Sequence, residues 1–153
     1  MAEKKKMVRT FRGLPDDEEP DKEYFFAHSA CLRIFGDIPS FQEITENLMI
    51  APSHIHRRGE PSLAGDSNPW PHDMWSYTPD IPPEKPLEEH INRLWLEIEP
   101  HKQYLVDLKK SLTVDVFLGY RSNCDTAGVD VPHNSLRMFI ELEVPFSLSI
   151  VIC

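Results

Sequence analysis

The sequence predicts an α+β fold, with a mixed or antiparallel sheet covered by helices on one face. Apolar and polar residues alternate over residues 26–34, 114–120 and 146–152, which is the period of a β-strand. Residues 87–98 instead carry apolar residues at helical spacing. The predicted element order is β-α-β-β-α-β-α-β, which we interpret as ferredoxin-like with an added αβ unit. Right-handed crossovers would place the helices on the same face.

The first 23 residues are predicted to be a disordered charged tail, followed by a single α+β domain over residues 24–153. The tail has a basic half from Lys4 to Arg12 and an acidic half from Asp16 to Asp21, and it is poor in apolar residues. Such a segment cannot bury enough apolar surface to offset the entropy of ordering.

The first half of the domain begins with a strand from Tyr24 that ends at Gly36. Ser40 and Glu43 then have the spacing of a capping box, so we expect a helix that ends before Pro52. Its buried stripe is predicted to be Phe41, Ile44 and Leu48. Two short strands, over residues 53–58 and 74–78, are predicted within a long loop from Ala51 to Pro86 that contains eight of the 14 prolines.

The second half begins with a helix at Pro86, and Pro100 should kink this helix into two segments. A strand is predicted over residues 113–120. After Pro132 we expect a helix that buries Leu136, Phe139 and Ile140 on one face, and the last predicted strand covers residues 146–153.

The composition restricts the classes of partner. A formal net charge of -9 disfavours phosphate backbones and anionic lipid, so neither nucleic acid nor membrane is expected as a partner. Three widely spaced cysteines without a CxxC pair indicate thiols in a reducing compartment. Together with the lack of a secretory signal or a long apolar run, this predicts a cytoplasmic protein.

The order and spacing of several short motifs resemble the DUF4279 family of bacterial domains. The resemblance covers nearly all of residues 27–153. It is carried by residues 30–36, 50–53, 56–60, 75–77, 86–91 and 127–152. It implies a small bacterial α+β domain, with no established activity or cofactor. The chain departs from the family in its N-terminal tail and at residues 70–73.

Eight residues are candidates for binding a ligand or a partner. They are His54, His56, Arg57, Arg58, Trp70, Trp75, Tyr77 and His90. His54 and His56 would point to one side of a strand, and His72, Asp73 or His90 would complete a zinc site. The adjacent arginines oppose a cation, so we expect no bound metal.

The remaining interpretations of these residues stay open. Arg57 and Arg58 suit a carboxylate or phosphate, or form a solvated turn. His90 is a general acid or base that faces Trp75 across the rim of the sheet, or a packed and hydrogen-bonded histidine at the core edge. The aromatic residues Trp70, Trp75 and Tyr77 stack on a ligand or anchor an interface, although Trp75 also fits a core position.

No nucleophile elbow, phosphate loop or HExxH motif is present, so we expect no cofactor, and the balance is against an enzyme. The sequence favours a non-catalytic module that binds a protein through residues 54–77 and the adjacent edge strand, for instance as an immunity-like inhibitor of a basic toxin. The alternative is a small-molecule or anion-binding protein, or a metal-assisted enzyme, that uses His56, Arg58 and His90. Pairing of residues 146–153 across a twofold axis would give a homodimer.

Overall fold

The structure is a computed structural model that describes residues 23–62, 68–125 and 128–153. The strands are β1 (Phe26–Gly36), β2 (His54–His56), β3 (Asp73–Tyr77), β4 (Thr113–Ser122) and β5 (Leu148–Ile152). The helices are α1 (Phe41–Leu48), α2 (Leu87–Ile98), α3 (Lys102–Leu108) and α4 (Arg137–Leu142). Short 3-10 turns, Glu99–His101 and His133–Leu136, precede α3 and α4. Residues 1–22 of the predicted tail lie outside the described residues.

The five strands form one mixed sheet in the order β2-β3-β1-β4-β5. The pairs β2–β3, β3–β1 and β1–β4 are antiparallel, whereas β4 and β5 are parallel. The α+β class and the predicted element order are therefore confirmed. The ferredoxin-like description of this arrangement stays a prediction.

The two faces of the sheet differ in burial. Alternate residues of the two long central strands are buried against the helices, and they include Leu32, Ile34, Val116 and Leu118. The residues between them are half-buried or exposed. We call this second side the open face, and it carries Cys31, Arg33 and Phe35 of β1 and Asp115, Phe117 and Gly119 of β4. The period-two pattern of the sequence thus corresponds to one covered and one open side.

Helix α1 begins and ends as its sequence predicts. The hydroxyl of Ser40 accepts a hydrogen bond from the backbone N–H of Glu43 (3.2 Å), which satisfies one N–H of the first turn. Ile44 and Leu48 are buried. The helix ends where Met49 adopts a left-handed backbone conformation with φ 56°.

The second half of the chain confirms two helical segments separated at Pro100 by a 3-10 turn, but the predicted buried face of α4 is wrong. Ile140 was expected in the core, and it is 74% exposed. The 3-10 turn before α4 has about three residues per turn instead of 3.6, so it changes the phase of the helix that follows. As a result α4 buries Met138, Phe139 and Leu142.

No helix within the described parts of the chain combines the length and apolar character needed to cross a membrane.

Candidate functional site

Two histidines and a tryptophan form a stack at the β2 edge of the sheet. His54 and His56 pair with Ser76 and Met74 of β3, and this register places both imidazoles on the open side. A hydrogen bond of 2.9 Å joins His54 Nε2 and His56 Nδ1. The indole of Trp70 lies parallel to the His56 ring, with centroids 4.0 Å apart.

The Trp70 ring is held in place by its backbone. Trp70 donates to the carbonyl of Glu60, and its own carbonyl accepts from Gly59, both at 2.9 Å. Gly59 has φ +87°, a conformation that glycine adopts without steric strain. His56 is consequently 3% exposed, and its Nε2 has no hydrogen-bond partner among the described residues. Burial and the neighbouring His54 and His72 lower the pKa of His56.

Asp73 connects the loop after β2 to the segment before α1. Its carboxylate accepts from the backbone N–H of Arg58 (2.8 Å) and of Ile38 (3.0 Å), and from the guanidinium of Arg57 (3.1 Å). These contacts, led by the Arg58 N–H, lower the pKa of Asp73. Arg57 also donates to the Ile38 carbonyl (2.6 Å) and lies over the Phe41 ring at 4.0 Å. The Arg57 guanidinium thus already has partners within the fold, whereas the Arg58 side chain is exposed.

Trp75 and Tyr77 lie on the helical side of the sheet. Trp75 is fully buried, and its indole N–H donates to the Thr45 hydroxyl (3.1 Å), which links β3 to α1. In this structure Trp75 has no surface to offer a partner. The Tyr77 hydroxyl is hydrogen-bonded to Glu97 of α2. Burial and this carboxylate raise the pKa of Tyr77 to about 12.

His90 is buried instead of lying at the edge of the core, and its ring neighbour is His28. It is 2% exposed, and its Nε2 has no hydrogen-bond partner among the described residues. The His28 ring lies 6.4 Å from the His90 ring and 5.3 Å from the Tyr120 ring. Burial lowers the pKa of both histidines.

The structure does not bring His56, Arg58 and His90 together. His56 lies on the open side, beside the Phe35 end of β1, through its pairing with Met74. His90 lies on the helical side beside His28, and His28 and Phe35 are seven positions apart in β1, which corresponds to about 23 Å of extended chain. Among the described residues, no group of three or more His, Cys, Asp or Glu is placed to hold a metal ion.

A strip of aromatic and charged side chains crosses the open face, and it was not identified from the sequence. Arg33 and Asp115 form a two-bond ion pair with distances of 2.8 and 2.6 Å. The guanidinium carbon lies 4.9 Å from the centre of the Phe117 ring and 5.7 Å from that of Phe35. Phe35 in turn stacks on His72 at 4.9 Å. We call these five residues the open-face strip. The available signal was the opposite charge at alternate positions of two predicted strands, but their pairing was unknown.

A groove of about 300 Å³ lies next to Phe117. Its lining includes the small residues Ala27, Ser29 and Gly119 and the larger residues Pro83 and Phe117. A β-carbon at position 119 would lie 2.5 Å from the Ser29 hydroxyl oxygen. The absence of a side chain at Gly119 therefore makes room for Ser29 and keeps this part of the open face concave.

No curated protein and no solved structure matches the chain. A family described as Domain of unknown function (DUF4279) matches residues 23–152 of the 153. This match spans both the open-face strip and the stack at β2. The chain therefore belongs to the DUF4279 family.

Proposed function

We propose that this domain is a non-catalytic protein-binding module, and that its contact surface is the open face together with the rings of His54 and Trp70, which lie against the buried His56. The observation that carries the proposal is the open-face strip. Phe117 is 36% exposed on a side of the sheet that no described helix covers. Arginine and large aromatic residues are the types that contribute most to binding energy when a partner removes them from water.

The strip is also held in place before binding. Both oxygens of Asp115 hold the Arg33 guanidinium, and His72 holds the ring of Phe35. Side chains that are already ordered lose less conformational entropy when a partner binds. The groove beside Phe117 adds a concave pocket that accommodates a side chain of the partner.

Charge favours a basic protein as the partner. The chain has a formal net charge of -9, and the first turns of α1 and α2 contribute Glu43, Glu88 and Glu89. Long-range attraction would speed the approach of a basic protein, while the aromatic strip would provide the short-range contact. An immunity-like inhibitor of a basic toxin in the bacterial cytoplasm is one specific form of this proposal.

The test is a pull-down from the source organism's lysate at low and moderate salt, with two double variants. Phe35→Ala with Phe117→Ala removes two aromatic rings from the open face. Leu96→Ala with Ile140→Ala is the control, because it removes apolar side chains that are 67% and 74% exposed on helices. We expect a salt-sensitive partner that the control retains and the open-face variant loses. Equal retention by both variants would contradict the proposed surface.

If no partner is retained by the wild type, the small-molecule, anion-binding or metal-assisted alternative gains weight. The described residues give that alternative no shared site for His56, Arg58 and His90. A thermal-shift screen with phosphate, carboxylates and Zn²⁺ would then be the next measurement. Circular dichroism of each variant would show that losses of binding occur with the fold intact.

A further inference from the structure

We propose that the edge strand β5 pairs with β5 of a second copy of this chain, so that two sheets join across a twofold axis. β5 is the last strand of the sheet order, at the opposite edge from β2. Its sequence, Leu-Ser-Ile-Val-Ile, contains no charged residue, no proline and no glycine. Ile150, Val151 and Ile152 are 59%, 50% and 48% exposed. Natural sheets protect exposed edges with charged residues, proline or bulges, and β5 has neither a charged residue nor a proline.

The backbone of β5 offers a regular set of hydrogen-bonding groups on its outer side. The N–H of Cys153 points toward β4, because it donates to the carbonyl of Ser122 (3.0 Å). Backbone direction alternates along a strand, so Ser149 and Val151 also point toward β4. The N–H and C=O groups of Leu148, Ile150 and Ile152 therefore point away from the sheet, where no described strand pairs with them.

This set is symmetric about Ile150, which is what a twofold axis requires. In an antiparallel pair centred there, Ile150 lies opposite the partner's Ile150, and Leu148 lies opposite the partner's Ile152. These residues are the ones whose backbone groups point outward, so each pair exchanges both of its hydrogen bonds. Their side chains also share one side of the sheet and form a continuous apolar row. On the other side, Ser149 lies opposite the partner's Val151.

Charge selects a second copy over a basic protein at this edge. Two copies that each carry a formal net charge of -9 repel one another over most of their surfaces. The uncharged β5 allows close approach without opposed like charges. A basic strand would find no carboxylate on β5 itself, whereas an identical strand matches it in polarity, hydrogen bonding and shape.

The dependence on salt separates this proposal from the proposed function. Burial of apolar surface favours the dimer, whereas repulsion between the two acidic copies opposes it. Dimerisation should therefore strengthen when salt screens that repulsion. Binding of a basic partner should weaken under the same conditions. The two surfaces adjoin, because Ser149 and Val151 of β5 also line the groove beside Phe117. Ile150 pairs with Tyr120 and lies on the opposite side of the sheet, so Ile150→Lys and the opposite salt dependences distinguish the failure of one proposal from the failure of the other.

The first experiment is size-exclusion chromatography with light scattering on the full chain, at about 50 and 500 mM salt and up to about 100 µM protein. We expect a concentration-dependent dimer that is more populated at the higher salt. Ile150→Lys should raise the dimer dissociation constant about tenfold or more, because it places two ammonium groups opposite one another at the axis. Ile140→Lys, also at an exposed isoleucine, is the control and should leave the dimer unchanged.

Cross-linking tests the register. In a Cys153→Ser background, Ile150→Cys should form a disulfide-linked dimer on mild oxidation, because residues opposite one another in such a pair have Cα atoms about 5.5 Å apart. Ser149→Cys in the same background should not, since the two copies of that residue are offset along the strands. Cys153→Ser alone controls for Cys31 and Cys124. A monomer at both salt concentrations, or an Ile150→Lys variant that dimerises like the wild type, would overturn the proposal.

Discussion

Arg33 of β1 and Asp115 of β4 lie directly opposite one another in the sheet, and their side chains meet through two hydrogen bonds of 2.8 and 2.6 Å. Both side chains are partly exposed, at 32% and 24%. The pair is flanked by Phe35 and Phe117. Each phenylalanine lies two positions after its charged neighbour in the same strand, and therefore on the same face of the sheet. This geometry fixes a planar guanidinium between two aromatic rings on the open face.

A double-mutant cycle on Arg33 and Asp115 should show a coupling energy of about 0.5–1 kcal/mol, as expected for a well-formed but solvent-accessible ion pair. The measurement is urea unfolding of the wild type, Arg33→Ala, Asp115→Ala and the double variant. Arg33→Lys should lose most of the coupling, because an ammonium group cannot make the two parallel bonds. Strictly additive single effects would mean that the pair does not stabilise the fold.

Replacement of Asp73 by alanine should destabilise the fold by about 1–2 kcal/mol, because the partly buried Ile38 N–H and the more exposed Arg58 N–H lose their acceptor. The pKa of Asp73 is lowered in the folded state from 3.8. Its contribution is therefore present above that value and is lost as the pH falls through the folded-state pKa. Urea unfolding at pH 7 and pH 3 should show the difference between variant and wild type shrinking in acid. Asp80→Ala, which removes an exposed carboxylate, is the control. An equal decrease in the free energy of unfolding in this variant would contradict the role assigned to Asp73.

The buried His90 should make stability depend on pH. Burial lowers its pKa from 6.5, so below that value the unfolded chain binds a proton that the folded chain does not. Stability should be highest above pH 6.5 and decrease as the pH falls. His90→Leu should reduce this slope by up to about 1.4 kcal/mol per pH unit. Urea unfolding between pH 5 and 8 measures the slope, and the exposed His133→Leu is the control. An unchanged slope in His90→Leu would show that His90 binds protons equally in the folded and unfolded chains, which would contradict the lowered pKa.

The effect of Gly119→Ala on stability should depend on whether residue 29 is serine or alanine. Gly119→Ala should cost about 1 kcal/mol, because the new methyl group would lie 2.5 Å from the Ser29 hydroxyl oxygen unless that side chain moves. In a Ser29→Ala background the same substitution should be neutral or stabilising, because alanine loses less backbone entropy than glycine on folding. Thermal or urea unfolding of the four proteins measures both effects. A similar cost in both backgrounds would place the clash elsewhere.

Tyr77 should ionise later than an ordinary tyrosine, since its pKa is raised from 10.0 to about 12. The neutral hydroxyl stabilises the fold below pH 10, and this contribution is lost as the pH rises through about 12. Tyr77→Phe should therefore cost about 1 kcal/mol at pH 7 and remove a late step from the ultraviolet titration of tyrosinate. Glu97→Gln should shift that step to lower pH. A late step that stays at the same pH in Glu97→Gln would contradict the contact with Glu97.

Local sequence signals located most of the elements because each depends on neighbouring residues. The Ser40 cap, the apolar stripe of α2, the interruption at Pro100 and the alternation in β4 all follow from contacts within a few positions. The error at Ile140 also has a local cause. A 3-10 turn changed the phase of α4, and helical periodicity assumes 3.6 residues per turn throughout.

The candidate residues were harder to place, because their environments depend on strands far apart in the chain. Arg57 was selected to bind a carboxylate or phosphate, but its guanidinium already contacts Asp73 and the Phe41 ring within the fold. His90 was placed at the core edge, but it lies next to His28 from β1. His54 and His56 lie on one side of β2, as the alternation in the sequence indicated, but the stacking of Trp70 on His56 was not predicted.

The sequence alone determined the α+β class, the order of the elements, the family and the excess of negative charge, because these follow from composition, periodicity and short motifs. The tertiary structure alone decided which strands are neighbours. Within the described residues, that choice placed Arg33 against Asp115, left one face of the sheet without a helix over it, and set the uncharged β5 at an edge. Pairing depends on the packing of the whole core against the helices, and alternation within one strand does not encode its partner.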